Sequence, residues 1–243
     1  MELHESVCGG RFSLYYHPDL FKPGTDSFLL GDFAAPRKGD KVCDLGAGTG
    51  LLGLLLFARQ SELRVANVEL QERSIALAEK SFRESGLIDR CTFHHGDLKD
   101  RKILPPAGSM DYVVSNPPYY SPAAGQAPLS DPLRTARTED SCTLADVANA
   151  AKYLLRWGGR FAMVHRAERL TDVLCTLREH GLEPKRLRLA QHRADSAPSI
   201  LLVEAVRGGK SGLITEPTLI LHGADNRETA ELQRIYFRQE QEL

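Results

Sequence analysis

Val42-Cys43-Asp44-Leu45-Gly46-Ala47-Gly48-Thr49-Gly50 decides the fold of this 243-residue chain. A short apolar segment reads as a strand and runs into a glycine-rich turn. The stretch from Leu51 to Ala58 then has helical character. The glycines let the backbone turn sharply and approach a ligand closely, and the helix that follows presents its first N–H groups there. A dinucleotide fingerprint needs glycine at three set places, G-x-G-x-x-G. Gly46 and Gly48 fit, but Leu51 takes the third place, which disfavours a nicotinamide-dependent dehydrogenase. No Lys-Ser/Thr pair follows, which excludes a P-loop.

Asp44-Leu-Gly-Ala-Gly-Thr-Gly50 resembles the first motif of the S-adenosylmethionine-dependent methyltransferases. A second strand, Val65 to Glu69, ends in an acid 25 residues after Asp44, one strand-helix-strand unit on. A carboxylate there can accept both hydroxyl hydrogens of a ribose, with Leu70 beside the adenine. A third strand, Cys91 to His95, leads to Gly96-Asp97-Leu98. Asp97 is placed to accept a hydrogen bond from the cofactor's adenine amino group, and Leu98 to back the ring. His94 and His95 are neighbours on a strand, so their side chains point to opposite faces, and no metal site is expected.

A fourth strand, Met110 to Ser115, is stopped by Asn116-Pro117-Pro118-Tyr119. Neither proline has an N–H and both fix φ, so the strand cannot continue. An amide is thus held at a strand end with a rigid backbone and an aromatic ring beside it. That geometry suits gripping a planar amino group and stacking on its ring system.

Elsewhere the pattern predicts a strand or hairpin arm from Gly10 to Tyr16 and a helix from Ser27 to Ala34, capped by Thr25 or Asp26. A long polar loop follows from Tyr120 to Cys142. Thr143-Leu-Ala-Asp146 resembles a capping box opening a helix to about Arg156, ended by Trp157-Gly158-Gly159. Arg160 to Val164 reads as a fifth strand, Arg166 to His180 as a helix, and Lys185–Ala190 and Ile200–Val206 as two final strands. Strands alternating with helices imply a parallel sheet with right-handed crossovers. The expected fold is α/β and Rossmann-like: a mostly parallel seven-stranded sheet, helices on both faces, and an antiparallel closing hairpin. Residues 1–36 form an N-terminal cap segment and 37–243 the cofactor-binding domain. The sites beyond strands one to four then share one edge of the sheet, where ligands bind in such folds.

Net charge is −1 and 42% of residues are hydrophobic, so a globular chain is expected, and any nucleic-acid surface must be local. The five cysteines, at 8, 43, 91, 142 and 175, form no CxxC pair, which points to a reducing compartment. No signal peptide or membrane-spanning run is read, so the cytoplasm is expected, with a monomer as the working state.

In this order the motifs resemble the N6-adenine class of Rossmann-like methyltransferases, and more narrowly the bacterial tRNA(Val) adenosine-N6 methyltransferase family. Phe21-Lys-Pro-Gly-Thr-Asp-Ser-Phe-Leu-Leu30 is similar to the family's Thr-Asp-containing helix ahead of the cofactor motif. Asn116-Pro-Pro-Tyr119-Tyr120 with Ala136-Arg137-x-Glu139 is the second similar segment. Glu216 to His222 with Thr229 to Tyr236 is the third, similar to a closing strand and helix. The resemblance implies S-adenosyl-L-methionine bound by Thr25, Asp26, Asp44, Gly46, Gly48, Gly50, Glu69, Leu70, Asp97, Leu98 and Asn116. It implies catalysis by Asn116, Pro117, Pro118 and Tyr119 on RNA, with the adenosine beside the anticodon of tRNA(Val) as acceptor. Lys185, Arg186, Arg188, Arg193, Arg134 and Arg137 are the collective candidates for an RNA footprint. The alternatives are glutamine-N5 methylation of peptide-release factors, adenine methylation of ribosomal RNA or DNA, and a non-catalytic cofactor-binding module.

Overall fold

The computed structural model describes residues 1–20, 23–117 and 142–238. Among them, nine strands form one sheet: β3 (Lys41–Leu45), β4 (Arg64–Glu69), β5 (Cys91–His95), β6 (Met110–Ser115), β7 (Leu155–Arg166), β8 (Leu182–Gln191), β9 (Ile200–Arg207), β10 (Ile214–Thr215) and β11 (Leu219–Ile220). Their order is β10-β8-β9-β7-β6-β3-β4-β5, with β11 also on β8. Pairing is parallel from β7 through β6, β3 and β4 to β5, and antiparallel where β9 inserts between β7 and β8. Strands β3 to β9 are the seven expected. The two-residue strands β10 and β11 are additions, laid parallel on β8 by the tail.

Helices cover both faces. Helices α1 (Thr25–Phe33), α2 (Leu51–Arg59) and α3 (Glu72–Glu84) lie on one side, where Leu30, Leu54, Phe57 and Phe82 pack with Val42, Val65 and Tyr112. Helices α4 (Leu144–Leu154) and α5 (Leu170–Glu179) lie on the other, where Val147, Leu154 and Leu177 pack with Cys43, Val113 and Phe161. The predicted capping box is present: Thr143 accepts from the Asp146 N–H, and Asp146 from the Thr143 N–H.

Several local expectations change. The N-cap of α1 is Gly24, and neither Thr25 nor Asp26 caps the helix, because both lie inside it. The Thr25 hydroxyl instead meets the Tyr236 hydroxyl at 2.8 Å. Trp157-Gly158-Gly159 does not end a helix. The helix stops at Leu154, and the Gly pair lies within β7, with Gly158 at φ 75° and a register shift against β6. A first strand, β1 (Leu3–Val7), pairs antiparallel with β2 (Phe12–Tyr16), although its acidic sequence gave no apolar signal. This hairpin stands outside the main sheet. The β2 N–H groups of Ser13 and Tyr15 donate to the hydroxyls of Ser85, the C-cap of α3, and Ser81 within it, at 3.0 and 2.9 Å.

One buried ion network ties β6, β7, β8 and β9 together. Glu204, 3% exposed, accepts from the Tyr112 hydroxyl and lies 3.5 Å from Arg160 and 3.3 Å from Arg186. The last helix among the described residues is α6 (Ala230–Ile235), capped by Thr229, whose Arg234 makes a two-pronged pair with Asp32 of α1 at 2.9 and 3.1 Å. No helix among the described residues is long and apolar enough to cross a membrane.

Candidate active site

Parallel pairing in the order β6-β3-β4-β5 brings the C-terminal ends of four strands to one edge. The Gly46–Gly50 turn, Glu69, Asp97 and Asn116 all emerge there.

The glycine turn is tied down by backbone bonds. Gly46 and Ala47 N–H groups both donate to the Val68 carbonyl, at 2.9 and 3.0 Å. Gly46, Gly48 and Gly50 have φ of 77°, 55° and 85°, a region that L side chains occupy only with strain. Their surroundings divide them. A Cβ on Gly46 or Gly48 would meet nothing within 4 Å, so this backbone borders open space. A Cβ on Gly50 or on Gly53 would lie 2.7 Å from the Phe82 ring. Two glycines therefore keep a ligand approach open, and two let α2 close on α3.

Glu69 uses both carboxylate oxygens on backbone N–H groups: Gly48 at 2.8 Å and Gln71 at 2.9 Å. Leu70 beside it is 51% exposed, an apolar surface at the mouth of the edge. Its carbonyl meets the His95 ring at 3.1 Å. Asp97 accepts from the Lys99 N–H at 2.9 Å and pairs with the Lys99 ammonium at 3.4 Å. Leu98 is partly buried against the α4 face of the core.

Asp44 sits beneath the turn rather than in the open space. It is 1% exposed, and burial first, then the negative charge of Glu69, push its carboxyl up to about 8. Its Oδ2 has no hydrogen-bond partner among the described residues, and neither have the buried Thr49 Oγ1 and Asn67 Oδ1. Asn67 is the register partner of Asp44 on β4 and donates to the Thr92 carbonyl at 3.3 Å. Sequence reasoning passed over Asn67, although a lone amide within Val65-Ala66-Asn67-Val68 was a visible signal.

Asn116 follows β6, and Pro117 beside it is buried. Alternation along the strand puts Asn116 on the same side as Tyr112 and Val114, facing α1. Ser115 points the other way and donates to the Leu45 carbonyl at 2.8 Å. The Asn116 amide Nδ2 donates to the Ser27 hydroxyl at 3.0 Å, and Ser27 is only 3% exposed. Ser27 was also passed over, though it follows Thr25-Asp26 directly. Those two residues begin α1 and share this end of the helix. Pro118, Tyr119 and the stretch from Tyr120 to Ser141, with Arg134, Arg137 and Glu139, lie outside the described residues.

The remaining basic candidates hold internal contacts. Arg186 bonds Glu216 at 2.8 Å and stacks over Phe33. Arg188 bonds the Pro217 carbonyl and Glu231, at 3.0 and 2.8 Å. Lys185 donates to the Lys210 carbonyl, and Arg193 pairs with Asp195. Arg186 and Arg188 thus secure the tail, which explains their positions without a nucleic acid.

The open backbone at Gly46 and Gly48, the acid of Glu69 and the exposed Leu70 fit a nucleoside-bearing cofactor lying across this edge. Comparison with known proteins agrees. Residues 19–179 match the family model described as methyltransferase small domain. A protein of Aeromonas salmonicida is 31% identical, covering 82% of each chain. One of Porphyromonas gingivalis strain W83 is 30% identical over 87% of this chain and 86% of its own. Both are named tRNA1(Val) (adenine(37)-N6)-methyltransferase. Among solved structures, a predicted O-methyltransferase from Agrobacterium tumefaciens superimposes with a TM-score of 0.71 at 20% identity, over 88% of this chain and 96% of that one. A geranyl diphosphate C-methyltransferase from Streptomyces coelicolor, solved with S-adenosyl-L-homocysteine, gives 0.53 at 14% identity, over 74% of each. These two likenesses concern the fold. By the match over residues 19–179 and the relatives at 30% and 31% identity, the chain belongs to the methyltransferase small domain family, together with the tRNA1(Val) (adenine(37)-N6)-methyltransferases, and is an S-adenosyl-L-methionine-dependent methyltransferase.

Proposed function

We propose that the protein methylates N6 of adenosine in RNA, with the adenosine beside the anticodon of tRNA(Val) as the acceptor, in the cytoplasm. The observation that carries this reading is Asn116, followed by Pro117, at the β6 end of the edge that holds the glycine turn and Glu69. The names of the relatives support the RNA and the nucleotide.

Bound S-adenosyl-L-methionine supplies an electrophilic methyl group on a sulfonium. Gly46, Gly48, Glu69 and Leu70 would hold it, with Asp97 on the adenine side and the first turn of α1, at Thr25 and Asp26, closing the other. The adenine amine is a poor nucleophile, because its lone pair is delocalised into the ring. Asn116 Oδ1 and the Pro117 carbonyl each accept one of its N–H groups. Two acceptors so placed favour a more tetrahedral nitrogen and aim its lone pair. Pro117 and Pro118 offer no competing donor. Tyr119 would stack on the base, worth ~1–3 kcal/mol. A base in a single-stranded loop leaves its stack at little cost, which suits an anticodon loop.

The test incubates the protein with methyl-labelled S-adenosyl-L-methionine and total RNA lacking the modification, then identifies the labelled nucleoside and RNA. N6-methyladenosine in tRNA(Val) is expected. Asn116→Ala should abolish transfer and leave cofactor affinity nearly unchanged. Label on a release-factor glutamine with RNA unlabelled would replace the acceptor.

A further inference from the structure

We infer that Tyr236, at the end of α6, is a positioning residue for cofactor binding: it holds the first turn of α1 in place at the active edge. This role rests on the function proposed above, in which Thr25 and Asp26 close one side of the cofactor site.

The first turn of α1 is weakly held by its own residues. The helix has nine residues, and helices this short depend on tertiary packing to persist. Its N-cap is Gly24, and no side chain caps the first N–H groups. Ser27 makes a local bond, donating its N–H to the Gly24 carbonyl at 3.2 Å. Yet this turn reaches the site, since the buried Ser27 hydroxyl lies 3.0 Å from the Asn116 amide nitrogen. Whatever steadies the turn therefore steadies a neighbour of Asn116 and both residues offered to the cofactor.

Tyr236 meets the turn twice. Its hydroxyl lies 2.8 Å from Thr25 Oγ1, across 211 residues of sequence. Its ring packs edge-on against Phe28, with centroids 4.9 Å apart, a favourable aromatic geometry. The Arg238 guanidinium covers the same ring at 4.6 Å.

Tyr236 is itself firmly carried. Its N–H donates to the Leu232 carbonyl at 2.9 Å, and Leu232 and Ile235 are buried in the core. Arg59 of α2 donates to the Gly31 carbonyl of α1 and to the Ile235 carbonyl of α6, each at 3.0 Å. Arg59 and Arg234 both pair with Asp32. These contacts lock α6 to the far end of α1. Tyr236 extends that support to the end that faces the site.

The test uses Tyr236→Phe, which removes the hydroxyl and keeps the ring, and Tyr236→Ala, which removes both. Calorimetric titration reads the Kd for S-adenosyl-L-methionine. Hydrogen exchange read by mass spectrometry follows the peptide spanning residues 25–33. The net worth of an ordinary hydrogen bond sets the scale: Tyr236→Phe should raise Kd roughly 3- to 10-fold, and Tyr236→Ala more than about tenfold. Exchange in 25–33 should quicken in both, with β3 and β4 unchanged. Glu231→Gln loosens α6 from Arg188 instead, and should match the wild type in both readouts. In a Thr25→Val background, adding Tyr236→Phe should cost nothing further, because the two changes remove one shared bond.

A wild-type Kd in Tyr236→Phe overturns the role, even if exchange quickens, because α6 then steadies α1 without serving the site. Losses that add in the double variant overturn it, as does a Glu231→Gln variant as impaired as Tyr236→Phe. None of these readouts uses RNA. A wild type that labels no adenosine therefore refutes the proposed acceptor and leaves the Tyr236 result standing on its own.

Discussion

The Glu69 carboxylate accepts the Gly48 N–H at 2.8 Å, so the acid at the end of β4 braces the turn at the end of β3. One side chain therefore shapes the cradle, and in the proposed function it is also the acceptor for a ribose. Glu69→Ala should raise the Kd for S-adenosyl-L-methionine at least tenfold. The charged hydrogen bonds it removes are worth roughly 1.5–3 kcal/mol each. Calorimetric titration measures the change, and an unaltered Kd would remove Glu69 from the cofactor site.

Gly46 and Gly53 should respond differently to one added methyl. Gly46 has φ of 77° and nothing within 4 Å of the new Cβ. Gly46→Ala should fold at a cost of about 1–2 kcal/mol, while the methyl intrudes on the cofactor and weakens its binding. On Gly53 the Cβ would lie 2.7 Å from Phe82 Cζ. Gly53→Ala should lose about 1–3 kcal/mol by overpacking, with the smaller effect on cofactor affinity. Urea denaturation and titration of both variants test the contrast.

Asp44 predicts a pH dependence with a definite sign. Its carboxyl is pushed from the ordinary 3.8 to about 8 by burial and by Glu69. Between those values the folded chain keeps a proton that the unfolded chain releases. Stability therefore falls as pH rises from about 4 to about 8, by at most about 1.4 kcal/mol per pH unit from this group. Asp44→Asn cannot ionise, so it should gain on the wild type between pH 5 and pH 8. Urea midpoints at the two pH values measure this, and a difference that does not vary with pH would contradict it.

Glu204→Ala should cost about 3 kcal/mol of stability. It leaves Arg160 and Arg186 facing each other without their shared anion, and deprives Tyr112 of its acceptor. The partial exposure of both arginines keeps the loss at the low end of the range for buried pairs. Glu204→Gln should lose less, since the amide oxygen still accepts from Tyr112. Chemical denaturation ranks the two.

Much of the architecture was legible because its causes are local. Glycine and proline chemistry marked the ends of β3 and β6, and hydrophobic runs marked the strands between. The Thr143–Asp146 capping box was readable because both of its bonds lie within four residues. Trp157-Gly158-Gly159 misled, since two glycines look like a helix stop. Here they let β7 adjust its register against β6. Strand β1 was invisible, because its partners are β2 and, through it, Ser81 of α3 and the Ser85 that caps it, not an apolar face of its own.

The sequence by itself determined the order of strands and helices, the glycine turn, and the placing of Glu69, Asp97 and Asn116 at successive strand ends. Periodicity and backbone chemistry act over a few residues, so one chain read in order suffices. Only the tertiary structure decided that Asp44 lies beneath the turn, that Glu69 braces Gly48, and that Arg186 serves a buried ion network. It also brought Ser27 to Asn116 across 89 residues. Desolvation and hydrogen-bond partnership depend on which distant segments pack together, and no local pattern carries that information.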